Sequence, residues 1–102
     1  MTLSIKGFDP SKPTVLSGDT MFFDILGEEF AIEGLSVHAF LDEKGTPVPK
    51  VTLKIDASGT ITENRIPVVA ETEIGATKGE YFVGIRVGTT IRATHKGLTV
   101  EE

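Results

Sequence analysis

The sequence predicts an all-β domain, an antiparallel β-sandwich of about seven to eight strands. Three observations carry that expectation. Apolar and polar residues alternate with the two-residue period of half-buried strands, as where Thr52, Lys54 and Asp56 interleave with Val51, Leu53 and Ile55. Turn formers recur at short intervals, with 11 glycines spread over 102 residues. No helix-length window shows an apolar stripe of 3.6-residue period.

Each strand falls between two turn signals. A first strand over residues 3–8 stops at Asp9-Pro10, and a second over 20–26 runs from Ser17-Gly18-Asp19 to Gly27. After Gly34, residues 35–41 place Leu35, Val37, Ala39 and Leu41 on one face and Ser36, His38 and Phe40 on the other. Lys44-Gly45-Thr46-Pro47 precedes the strand at 51–56, and Ser58-Gly59 precedes one at 63–70. Beyond Gly75 and Lys78-Gly79, the strand at 80–87 alternates Tyr81, Val83, Ile85 and Val87 with Phe82, Gly84 and Arg86. Gly88 then marks a tight hairpin into 89–94, and Lys96-Gly97 reads as a turn before a short strand at 98–100.

Composition limits the function classes. No cysteine is present, which removes disulfide frameworks, thiolate metal sites and thiol nucleophiles while leaving the redox compartment open. Ten basic and 15 acidic residues give a formal charge of -5, and a field of that sign repels phosphate backbones and anionic headgroups. Neither nucleic acid nor a membrane is an expected partner. No apolar run approaches the ~20 residues of a spanning helix, and Met1 to Lys12 lacks the basic start and apolar stretch of a signal peptide. Without a repeat, low-complexity tract or linker, residues 1–102 are expected to form one domain whose ends are those of the sequence.

The opening third reads Ile5-Lys6-Gly7-Phe8-Asp9-Pro10-Ser11-Lys12-Pro13, then Ser17-Gly18-Asp19-Thr20, an apolar strand and Gly27-Glu28-Glu29-Phe30. This order resembles the start of IPT/TIG domains, immunoglobulin-like modules of bacterial or phage type, although Asp19 follows Gly18 where that family usually has a second glycine. Gly79-Glu80-Tyr81-Phe82-Val83 is similar to the Gly-x-Tyr-x-Cys stretch of antibody-type domains, with Val83 in the cysteine's place and Tyr81 at the position of a tyrosine corner. The resemblance runs from Leu3 to Val100. It implies an immunoglobulin-like sandwich serving as a non-catalytic interaction or spacer module of a larger assembly, outside the cell, on its surface or on a virion. It also leaves a second role open, an accessory carbohydrate-associated domain of a multidomain enzyme, which the absence of Trp and the presence of Tyr81 alone as tyrosine disfavour.

No constellation points to catalysis. Ser36 and His38 share a strand face, but a nucleophile also needs an orienting third group and an oxyanion hole, and no Gly-x-Ser-x-Gly elbow is present. His95, read at a turn, has no second ligand at metal spacing. Asp24, Glu28, Glu29 and Glu33 gather around Gly27, where calcium would find carboxylates but no Asp-x-Asp-x-Asp-Gly loop. They read as a solvated acidic rim. Gly75-Ala76-Thr77-Lys78-Gly79 lacks the Gly-Lys-Ser/Thr order of a phosphate loop. Neither a metal nor any other cofactor is expected.

The informative feature is aromatic. If Met21, Phe23 and Ile25 face the core, alternation turns Phe22 and Leu26 outward, and the same logic exposes Phe40 beside His38. Phe22, Leu26, Phe40 and His38 are therefore the candidate protein-contact surface, toward a neighbouring domain or a second copy of the chain.

Overall fold

A computed structural model describes residues 3–102 as eight strands with no helix. Met1 and Thr2, which open the expected domain span, lie outside the described residues. The strands are β1 (Ser4–Asp9), β2 (Thr14–Leu16), β3 (Thr20–Glu28), β4 (Leu35–Phe40), β5 (Val51–Ile55), β6 (Arg65–Thr72), β7 (Gly79–Val87) and β8 (Thr90–Glu101). They form two four-stranded sheets, ordered β1-β3-β6-β5 and β2-β8-β7-β4. All pairs are antiparallel except β2 with β8.

Alternation decides which side of each strand is buried. Phe23 and Ile25 of β3, Ile66, Val68 and Ala70 of β6, and Val51 and Leu53 of β5 face Val37 and Ala39 of β4, Val83 and Ile85 of β7, and Leu98 and Val100 of β8. Among the described residues the buried set holds no polar or charged side chain, so sheet–sheet cohesion is a matter of apolar burial, worth ~25 cal/mol per Å². Two glycines admit large rings to this packing. A Cβ on Gly27 would overlap the Ser4 carbonyl and the Phe30 ring, so the Gly27-x-x-Phe30 spacing lets fully buried Phe30 fold back onto its own strand. A Cβ on Gly97 would press into Phe8, which meets Phe23 edge-on at 5.8 Å between centroids.

Several expectations are corrected. β2 was not foreseen; at three residues it is too short to show a period, and its pairing with Thr99, Val100 and Glu101 is far away in sequence. The two strands expected at 89–94 and 98–100 are one, because Gly97 forms a bulge opposite Tyr81 and Phe82 and not a turn. His95 thus lies inside β8, paired with Val83, its ring edge-on to Phe8. Leu41 falls just past β4 and is exposed, not inward. The hairpin at Gly88 stands as read: Val87 pairs with Thr90, and Gly88 has φ +62° in the intervening turn.

Candidate contact face

The four candidate contact residues divide between the two sheets. Phe22 and Leu26 project from β3, whereas His38 and Phe40 project from β4 in the other sheet, so the pairs sit on opposite outer faces and share no surface.

The β1-β3-β6-β5 face is laced with ion pairs. Lys6 bonds Glu28 at 2.6 Å, Lys54 lies 3.3 Å from Glu71, and Arg65 bridges Asp9 and Asp24. Those hydrogen bonds, Asp24's before Asp9's, raise the Arg65 pKa still further. Phe22 is 63% exposed amid these charges, and Leu26 is half-buried. The acidic residues around Gly27 do not converge: Asp24 and Glu28 are taken up by cations, and Glu29 borders a hollow with Glu63 and Asn64. Among the described residues no group of three or more His, Asp or Glu side chains is arranged to hold a metal ion.

On the β4-β7-β8 face the carboxylate Glu80 lies at one end, opposite Thr99, and the rows beyond it differ. The register sets out three rows: Ser36, Arg86 and Ile91; His38, Gly84 and Thr94; Phe40, Phe82 and Lys96. None of the 15 acidic residues falls in them. Each cation covers a ring instead, with the Arg86 guanidinium 5.2 Å from the Phe40 centroid and the Lys96 ammonium 5.8 Å from that of Phe82.

Phe40 corrects the sequence reading. It does point outward, yet it is only 1% exposed. Its ring lies over Gly84, where a Cβ would overlap it, with His38 stacked at 5.8 Å and an interplanar angle of 14°. The segment after β4 encloses it further: Phe40 bridges Pro47, and the Leu41 amide donates to the Thr46 carbonyl at 2.8 Å. Asp42 organises that loop. Its carboxylate accepts from the Lys44 and Thr46 amides and, at 2.7 Å, from the Thr46 hydroxyl, and these bonds, the hydroxyl's foremost, lower its pKa.

Ser36 Oγ and His38 Nε2 are 2.8 Å apart. Among the described residues no carboxylate bonds to His38, so nothing orients the ring as a base. Burial first, and the Arg86 charge second, depress the His38 pKa. The imidazole is a neutral, packed side chain at pH 7.

Arg86 was missed as a candidate. It lines a cleft of ≈ 210 Å³ between β4 and β5, together with His38, Phe40, Pro47, Val51 and Leu53 among others. Its position two residues from Gly84 on an outward strand face was legible; its lack of a carboxylate partner was not, because that depends on where every acidic residue ends up.

The fold and site together define a class. An edge order of first, second, fifth and fourth main strands opposite a sheet built on the third, sixth and seventh is the immunoglobulin-like sandwich, here with the extra strand β2 beside β8. Tyr81 supplies the tyrosine corner: it is buried, and its hydroxyl donates to the Thr77 carbonyl, four residues upstream, at 2.6 Å. No family model and no curated protein matches the chain. Among solved structures it is similar to a chimeric titin Z1Z2-Z1Z2 tandem (Z1212) functionalized with a GRGDS exogenous peptide from fibronectin, at 20% identity and a TM-score of 0.41. That match covers 99% of this chain and 46% of the tandem, so the chain spans less than half of its length.

Proposed function

We propose that this immunoglobulin-like domain, spanning residues 1–102, is a non-catalytic interaction and spacer module of IPT/TIG type in a larger extracellular or surface-exposed assembly. Its contact surface is the β4-β7-β8 face. The observation that carries this reading is the segregation of charge: in a chain of net charge -5, three rows of one face hold Arg86, Lys96 and two phenylalanines but no carboxylate. Cations spread over rings combine apolar area with unpaired donors, the combination from which binding hot spots are made. The packing of Phe30 on Gly27 supports the IPT/TIG reading, since it gives that family's Gly-x-x-Phe spacing a role in this chain. Of the four residues first singled out, His38 stays on the contact surface and Phe40 acts beneath it as a platform. Phe22 and Leu26 belong to the ion-paired face.

Selection of binders from a random-sequence peptide library tests the reading, with a Phe82→Ser/Lys96→Glu double variant as counter-target. Binders should lose affinity for the double variant, and their amide shift perturbations should fall on residues 36–40, 82–86 and 94–96. Binders that map to Phe22 and Leu26, or that the double variant retains, would overturn it.

A further inference from the structure

We infer that the cleft between β4 and β5 seats a glutamate or aspartate side chain of an extended acidic segment from a partner protein, with the Arg86 guanidinium as its counter-ion. The inference rests on the contact-face reading and specifies the partner's chemistry.

Arg86 is set apart by burial. Lys6, Lys54 and Arg65 each meet a carboxylate, and Lys12, Lys44, Lys50, Lys78, Arg92 and Lys96 are exposed to water, whereas among the described residues Arg86 is half-buried, makes neither an ion pair nor a hydrogen bond, and has its Nε buried without an acceptor. A guanidinium cannot shed its charge to relieve that situation. The loop carboxylate Asp42 is committed to Lys44 and Thr46.

The surroundings hold the fork still. Phe40 lies beneath the guanidinium, and Gly45, at φ +94°, brings the loop so near that a side chain there would meet Ile91 and approach Arg86. An arginine fixed on an aromatic plane forfeits little freedom when it accepts a bidentate carboxylate, which makes it a better receptor than a mobile lysine. The cleft, ≈ 210 Å³ and open to solvent on one side, has room for a side chain to enter. Its apolar walls, Pro47, Val51 and Leu53, suit the methylenes of a glutamate.

The flanking strands argue for a peptide over a small free acid. β4 and β5 are edge strands of their sheets, and among the described residues no strand pairs with Leu35–Ala39 of β4 on the side away from β7. That stretch has neither Lys nor Pro to blunt it. An extended segment can therefore pair with the edge while every second side chain turns toward the cleft.

The test is a titration of the ¹⁵N-labelled chain with a capped peptide alternating valine and glutamate, with its glutamine counterpart, and with sodium acetate. The Arg86 Nε–H resonance and the amides of Val37 and Ala39 are the readouts. The glutamate peptide should move all three, and binding should weaken at least tenfold with glutamine in the peptide or with Arg86→Lys in the chain. The glutamine arm needs no variant, so it decides even if Arg86→Lys misfolds. Equal affinity for both peptides, or acetate acting at the same concentration as the peptide, overturns the inference. Shifts at Phe82 and Lys96 with Arg86 unmoved also overturn it, while the contact-face reading survives that result.

Discussion

Replacing Phe40 by alanine should be among the costliest changes outside the core. The ring is 1% exposed, and truncating a buried phenylalanine costs about 3–5 kcal/mol. Because its cover is a loop and two side chains, which can settle into the space, the lower figure of about 3 kcal/mol is expected. For a domain of this size that corresponds to a fall in Tm of roughly 12–24 °C, at about 4–8 °C per kcal/mol. A double-mutant cycle with Gly84 locates the ring. Gly84→Ala alone forces a methyl into Phe40 and should cost about 1–3 kcal/mol by overpacking, whereas in the Phe40→Ala background the methyl has room and the cost should fall to near zero. Urea midpoints for the four proteins, with m values checked for constancy, give the coupling. If Gly84→Ala costs the same in both backgrounds, the ring does not lie over Gly84. If Phe40→Ala costs under about 0.5 kcal/mol, Phe40 is a surface residue after all.

Phe22→Ser should leave stability within about 0.5 kcal/mol, since the ring is already 63% exposed; a loss of several kcal/mol in a urea melt would show that the β3 register is wrong. Tyr81→Phe deletes the bond to the Thr77 carbonyl while keeping the ring, and about 1 kcal/mol of destabilisation is expected from calorimetry; no loss would mean that the corner does not form. His38 sets a pH dependence: its folded pKa lies below its unfolded value, so the unfolded chain binds the extra proton, and stability is full above about pH 6.5 and declines as pH falls toward the folded pKa. Comparing Tm between pH 7 and pH 5, the parent should drop more than His38→Gln; equal slopes would contradict the lowered pKa.

Local periodicity carried the faces of strands and stopped there. Phe23 and Ile25 were legible as core and Phe22 as outward because alternation within β3 is enough to say so. Alternation cannot say which sheet a strand joins, and so Phe22 and His38 appeared to share a surface that the topology splits. Phe40 was read as exposed because its shelter comes from Gly84, some forty residues on, and from the Pro47 bridge. Gly97 reads as a turn in sequence because a glycine after lysine serves a bulge as well as a reversal. Tyr81 was foreseen through the family resemblance, and its partner Thr77 lies four residues away, within reach of local reading.

Among the described residues β2 with β8 is the one parallel pairing, and it sets how the fold would answer a pull along the chain. Tension entering ahead of β2 and leaving beyond β8 pulls these two strands along their common axis in opposite directions. Their hydrogen bonds, among them those from Thr99 to Pro13 and from Ser17 to Glu101, are then strained side by side, not opened one after another from an end. Under such a pull β2, three residues that bury the Val15 side chain, would be loaded in shear against β8 and not peeled from one end.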